Sequence, residues 1–146
     1  MARKPKGEAA RTETLAIRLD PRTRYMLELA SRIQHRTLSS VVEWMINNSQ
    51  KDIEIDEHRS LASVQANLWD IDEPDRLVKL ATQYPHLLNY EEQKIWKVIV
   101  EHRFFWMDGN RDEVGAVIPR IRENWELIKG VASGEVPTEH LPSYQD

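Results

Sequence analysis

Glu13-Thr14-Leu15-Ala16-Ile17-Arg18-Leu19 runs directly into Asp20-Pro21. Leu15, Ile17 and Leu19 alternate with Thr14, Ala16 and Arg18. A period of two predicts a strand with one apolar face. Asp20 then suits a helix N-cap, and Pro21 suits the first helical position. The first helix is expected over Pro21 to Gln34. Tyr25, Leu29 and Ile33 fall at four-residue steps on it, with Met26 and Ala30 beside them and Arg22, Glu28 and Arg32 opposite. His35-Arg36 is a short connector, and Thr37 can cap a second helix from Leu38 to about Asn48. Leu38, Val41, Val42, Met45 and Ile46 form an apolar stripe along that helix.

A strand with two short helices cannot bury enough surface alone, and a lone strand leaves both of its edges unpaired. A second copy of the chain would meet both needs, through an antiparallel two-stranded ribbon and a shared four-helix core. Leu15, Ile17, Leu19, Leu29, Ile33, Val42, Met45 and Ile46 are the candidate residues of that dimer core.

Working outward, residues 1–12 read as a flexible basic arm, with Arg3, Lys4, Lys6 and Arg11. Residues 13–50 form the strand–helix–helix unit, and residues 51–57 form an acidic linker. Helical patterns follow at about 57–69, 74–84, 91–107 and 119–132, so residues 58–134 are expected to be an acidic all-α domain. Pro74 and Pro119 suit early helix positions, and Ile95 through Trp106 reads as a buried central helix. Trp69, Trp96, Trp106 and Trp125 are expected in the core with Leu61, Leu68, Leu77, Leu80, Leu87, Leu88, Ile95, Ile99, Phe105, Ile121 and Ile128; a ligand pocket lined by these aromatics is the alternative reading. Residues 135–146, with Pro137 and Pro142, read as a loose tail.

The 146 residues are 40% hydrophobic and 30% charged, the balance of a folded globular chain. The absence of cysteine excludes disulfides, thiolate metal sites and cysteine nucleophiles. No apolar run is long enough to cross a membrane, and no apolar stretch follows the basic first residues as a secretory signal requires. The net charge of −4 is unevenly spread. Residues 1–51 hold ten Lys/Arg against five acids, a balance of +5, and residues 52–146 hold ten against nineteen, a balance of −9. The basic third suits a polyanion, while the acidic remainder suits protein or solvent.

His58, His86, His102 and His140 do not pair at metal-ligand spacing on one helix. Asp70-x-Asp72-Glu73-x-Asp75 lacks the glycine and the distal glutamate of a calcium loop and reads as an acidic helix start. No nucleophile–base arrangement or phosphate loop is present, so the chain is read as a non-enzyme with no metal and no cofactor.

Thr14 to Ile46 resembles the ribbon–helix–helix family of DNA-binding proteins, the Arc/MetJ/CopG type. The features that carry the resemblance are Leu15-x-Ile17-x-Leu19, Asp20-Pro21, Leu29-Ala30, Arg36-Thr37 and Ser39-Ser40-Val41-Val42. Many members have glycine in the connector, where this chain has Gln34-His35-Arg36; Gln34 or His35 must then take the helix-ending conformation. The resemblance implies a mostly α protein that dimerises through an intermolecular ribbon and sets that ribbon in the major groove of double-stranded DNA. Thr14, Ala16 and Arg18 would read bases, Arg18 through guanine O6 and N7. Arg36, Thr37, Leu38 and Ser39 would hold phosphates at the start of the second helix, with Arg3, Lys4, Lys6 and Arg11 adding phosphate contacts.

The function implied is a cytoplasmic, nucleoid-associated bacterial transcriptional repressor, homodimeric or of higher order on DNA, with a protein partner or effector at the acidic domain and no membrane association. The alternatives are an antitoxin of a toxin–antitoxin pair, an accessory DNA-binding protein of plasmid partition or conjugation, and a protein-interaction module in which the ribbon never meets DNA.

Overall fold

A helix begins where a side chain can satisfy the free N–H groups of its first turn. Asp20, Thr37 and Asn89 are such positions in this chain, and each opens a helix. The computed structural model describes residues 12–106 and 114–143. Arg3, Lys4, Lys6 and Arg11 lie outside the described residues.

Helix α1 spans Pro21–Gln34. Asp20 caps it: Oδ1 accepts from the Thr23 N–H at 3.0 Å, and Oδ2 accepts from the Thr23 hydroxyl at 2.5 Å. These hydrogen bonds, the Thr23 hydroxyl foremost, hold the Asp20 carboxyl below its ordinary value. His35 ends α1 in the left-handed region, at φ 52° and ψ 43°. The backbone N–H groups of His35 and Arg36 thereby reach the carbonyls of Arg32 and Ser31. Helix α2 spans Leu38–Ser49, and Thr37 Oγ1 caps it by accepting from the Ser40 N–H at 3.1 Å.

The chain next makes a short hairpin. Strand β1, Glu54–Asp56, pairs antiparallel with β2, Arg59–Ser60. The turn between them is held by Asp56, which accepts from the His58 N–H at 3.0 Å and the Arg59 Nε–H at 2.7 Å.

Two expectations are corrected here. The strand was expected first, at Leu15 to Leu19, but residues 12–20 carry no regular secondary structure. The order is helix–helix–strand–strand; β1 lies in the expected acidic linker, and β2 lies at the start of the expected all-α domain. The ribbon–helix–helix fold is therefore not the fold of this chain, which is mostly α with one small hairpin. The physical reason is that alternation fixes which side chains share a face and supplies no hydrogen-bonding neighbour. Ile53 to Asp56 also alternates, and there Glu57-His58 folds a neighbour back onto it.

Helix α3 spans Leu61–Leu68, and the chain divides near its end into two compact units, residues 1–66 and 67–146. In the second unit, α4 covers Glu73–Gln83, α5 Tyr90–Glu101, α6 Val114–Glu123 and α7 Trp125–Ser133. Acidic Glu73 and Asp75 occupy the first turn of α4, which also carries Pro74. Asn89 and Glu92 form a reciprocal capping box on α5, with both bonds at 2.9 Å. Gly134 ends α7 at φ 82°.

The central helix is shorter than expected: α5 stops at Glu101, and Arg103–Trp106 form a 3₁₀ turn in which Trp106 Nε1 donates to the Ile99 carbonyl at 2.7 Å. Pro119 lies inside α6, not at its start. Leu77, Val78, Ile99, Phe105, Val117, Ile121, Trp125, Ile128 and Leu141 are among the residues of one buried cluster. Trp69 and Leu87 were expected in the core but are exposed; the Arg76 guanidinium lies 4.9 Å from the Trp69 ring centroid.

Candidate interaction surface

The first unit leaves its large apolar side chains facing outward. Leu15 is 81% exposed, Ile33 is 77% exposed, and Ile17, Leu19, Tyr25, Met26, Trp44, Met45, Ile46 and Ile53 are each more than a third exposed. On α1, Tyr25 and Ile33 share the four-residue periodicity of half-buried Leu29, and Met26 lies beside them. On α2, Met45 and Ile46 continue the stripe begun by half-buried Leu38 and Val42. No residue of α1 is buried, and Val41 is the buried residue of α2. Exposed single leucines are ordinary, whereas ten large apolar side chains within one short unit need an explanation.

Several residues assigned to DNA have been placed. Thr14, Ala16 and Arg18 are exposed and lie in the segment without regular structure. Arg36, Thr37 and Ser39 are exposed around the start of α2, and Leu38 is half-buried. Thr37 Oγ1 is engaged in capping. The eight candidate dimer-core residues divide into exposed Leu15, Ile17, Leu19, Ile33, Met45 and Ile46 and half-buried Leu29 and Val42. Trp44 was outside that set although it is exposed on α2. Its position two residues after Val42 placed it off the stripe.

The second unit holds two polar arrangements. In the first, Asp70, Asp72 and Asp75 bring one oxygen each to within 4.8 Å of one another. Arg122 binds Asp75 through Nε at 2.7 Å and Nη2 at 2.5 Å, and Lys79 Nζ binds Asp70 at 2.8 Å. The Lys79 hydrogen bond, then the Asp72 N–H, hold the Asp70 carboxyl below its ordinary value, and the bond to Asp75 raises Arg122. The acidic run is thus tied to the chain's own cations. It joins the start of α4 to α6.

The second arrangement is a cavity of about 310 Å³ walled by Leu68, Leu77, Leu80, Ile95 and Trp125, with Glu73, Arg76 and Glu92 as its polar members. Sequence periodicity placed the apolar members in a core, with an aromatic-lined pocket as the alternative, and did not locate the opening between them.

No family model, curated protein or solved structure matches this chain. The DNA assignment is corrected on this and on the topology. A β-ribbon reader needs its strand before the two helices, and here the paired strands follow them. Double-stranded DNA as partner, the ribbon-joined homodimer and its higher order on DNA, and transcriptional repression all rested on that ribbon. So did the antitoxin and plasmid-partition or conjugation alternatives, and none of them is retained. No helix among the described residues is long and apolar enough to cross a membrane.

Proposed function

We propose that this protein is a self-associating protein-interaction module that works by binding and not by catalysis. Its first unit docks on a second copy of the chain, helix face against helix face, with no strand pairing and no nucleic acid involved. The observation that carries this reading is the contrast within α1 and α2: both helices are capped by their own residues, yet between them they bury one side chain, Val41. Isolated helices of this length are marginal in water, and their stability comes from covering an apolar face. The cover must therefore be present whenever the unit is folded, and a second copy is made alongside the first.

Tyr25, Met26, Ile33, Met45 and Ile46 are uncharged, so two copies of the stripe can meet without opposing like charges. These five side chains, each more than a third exposed, are the apolar centre around which such an interface would close.

Sedimentation of the full chain tests the reading. The expected mass is twice 17.1 kDa at micromolar concentration, with a thermal midpoint that rises with concentration. Ile33→Glu and Met45→Glu should each weaken association about 100-fold or more, since each places a charge in the centre of the interface. Leu87→Glu, on an exposed apolar residue of the second unit, should leave the mass unchanged. A chain that sediments at 17.1 kDa at about 100 μM, an affinity weaker than roughly −5.5 kcal/mol, would overturn the proposal, as would a dimer indifferent to both substitutions.

A further inference from the structure

The geometry points to a binding site for a free apolar α-amino acid in the second unit, in the cavity of about 310 Å³ beside Trp125. That volume sits at the lower end of the roughly 300–1,000 Å³ found for small-molecule sites. Leu77, Leu80 and Trp125 supply apolar wall, and the polar members are one guanidinium and two carboxylates. Each of these is fixed by a bond that leaves part of it unused. Glu73 accepts from Trp125 Nε1 at 3.1 Å and lies 3.8 Å from Lys129 Nζ, both through Oε2. Glu92 accepts from the Asn89 N–H through Oε2 at 2.9 Å. In both residues Oε1 has no hydrogen-bond partner among the described residues. Arg76 donates through Nη1 to the carbonyls of Asp70 and Ile71, at 3.0 and 3.5 Å, while its guanidinium rests against Trp69. Nε and Nη2 remain for a ligand. Three polar groups held in place by the fold need little ordering when a ligand arrives.

The combination of signs selects the ligand class. A simple amine with an apolar body would meet the Arg76 guanidinium, and a fatty acid would meet Glu73 and Glu92; either pairing costs affinity. A zwitterion places its α-carboxylate at Arg76 and its α-ammonium at the two glutamates, leaving the side chain for the wall of Leu77, Leu80 and Trp125. The cavity size suits a leucine- or phenylalanine-sized molecule. This inference does not depend on the association of the first unit, because every residue it uses lies in the second.

The test is titration of the full chain with L-leucine and L-phenylalanine, followed by calorimetry and by tryptophan fluorescence. Isoamylamine and 4-methylvalerate serve as probes that lack one charge each. The amino acids are expected to bind at least tenfold more tightly than either probe, a difference of about 1.4 kcal/mol. Arg76→Gln should weaken the amino acids and 4-methylvalerate but not isoamylamine. Leu80→Trp, which fills the space, should abolish binding with the helical signal intact. No binding of either amino acid by about 10 mM, weaker than roughly −3 kcal/mol, would overturn the assignment. So would equal affinities for all the compounds, or binding that survives in a folded Leu80→Trp. If Leu80→Trp does not fold, the comparison of head groups on the unaltered chain decides alone.

Discussion

The two units of this molecule use similar local devices and reach opposite outcomes. Both begin helices with a side-chain cap, Asp20 and Thr37 in the first unit and Asn89 in the second. Both contain a helix ended by a residue in the left-handed region, His35 in the first and Gly134 in the second. Yet among the described residues the buried apolar side chains of the first are Val41 and Val64, while the second buries twelve, from Leu77 to Leu141. Among the described residues the large exposed ones number ten in the first and four in the second. Caps and periodicity decide where a helix lies. Whether its apolar face is closed depends on how much apolar surface the rest of the unit brings to it, and the first unit brings little.

That contrast can be broken most directly through the cores. Phe105 is fully buried in the second unit's cluster. Phe105→Ala should destabilise that unit by about 3–5 kcal/mol, through lost transfer energy and the space left behind. Ile33→Ala, on a side chain 77% exposed, should leave the stability of dissociated chain within about 0.5 kcal/mol and act on association instead. Chemical denaturation in dilute solution, read by circular dichroism, measures both. Equal losses would mean that the first unit has a core of its own and that the two units do not differ in kind.

The same contrast explains what could be read from the sequence. The start of α1 at Asp20-Pro21 and of α2 after Thr37 was legible, because capping is decided within three or four residues. The apolar stripes of α1 and α2 were legible as well, since they follow from helical spacing. Two kinds of feature were not. Leu15, Ile17 and Leu19 alternate as a strand would, but pairing depends on a neighbour that the pattern does not name. The hairpin at residues 54–60 was passed over because its strands are only three and two residues long and its composition is that of a charged linker. In the second unit, Trp69 followed the rule that tryptophan is core, and the structure instead sets it outside against Arg76. The cavity bounded by Glu73, Arg76 and Glu92 draws on three helices and the end of a fourth, a grouping that no spacing along one of them announces.

A smaller effect sharpens the statement that the first unit is well specified locally. His35 has φ 52°, a conformation that costs an L-residue with a Cβ. His35→Gly removes that cost while loosening the unfolded chain, so the net gain should be a few tenths to about 1 kcal/mol, against roughly 1 kcal/mol lost in Thr37→Ala. Thermal melts at fixed protein concentration compare the two. If His35→Gly proved destabilising, the imidazole would be making a contact that outweighs the backbone cost, and the end of α1 would be held by tertiary structure in the manner of the second unit.

The finest distinction lies in acid. Each unit has an aspartate held below its ordinary value, Asp20 chiefly by the Thr23 hydroxyl and Asp70 chiefly by the Lys79 ammonium. A carboxyl depressed in the folded state adds stability above its unfolded value, near pH 4, and that contribution drains away as pH falls through the lower folded value. Both units should therefore lose a little stability below about pH 4, and salt should separate them. The Asp70–Lys79 bond at 2.8 Å joins two charges, whereas Asp20 accepts from a neutral hydroxyl and a backbone N–H. Added salt should shrink the acid-dependent loss at Asp70 more than the loss at Asp20, and Lys79→Gln should remove most of the former without touching the latter. Carbon-detected titration of the two side-chain carboxyls at low and high salt follows them separately. Equal salt responses would mean that the Lys79 charge adds little beyond its hydrogen bond, and that Asp20 and Asp70 are both set by local hydrogen bonding alone.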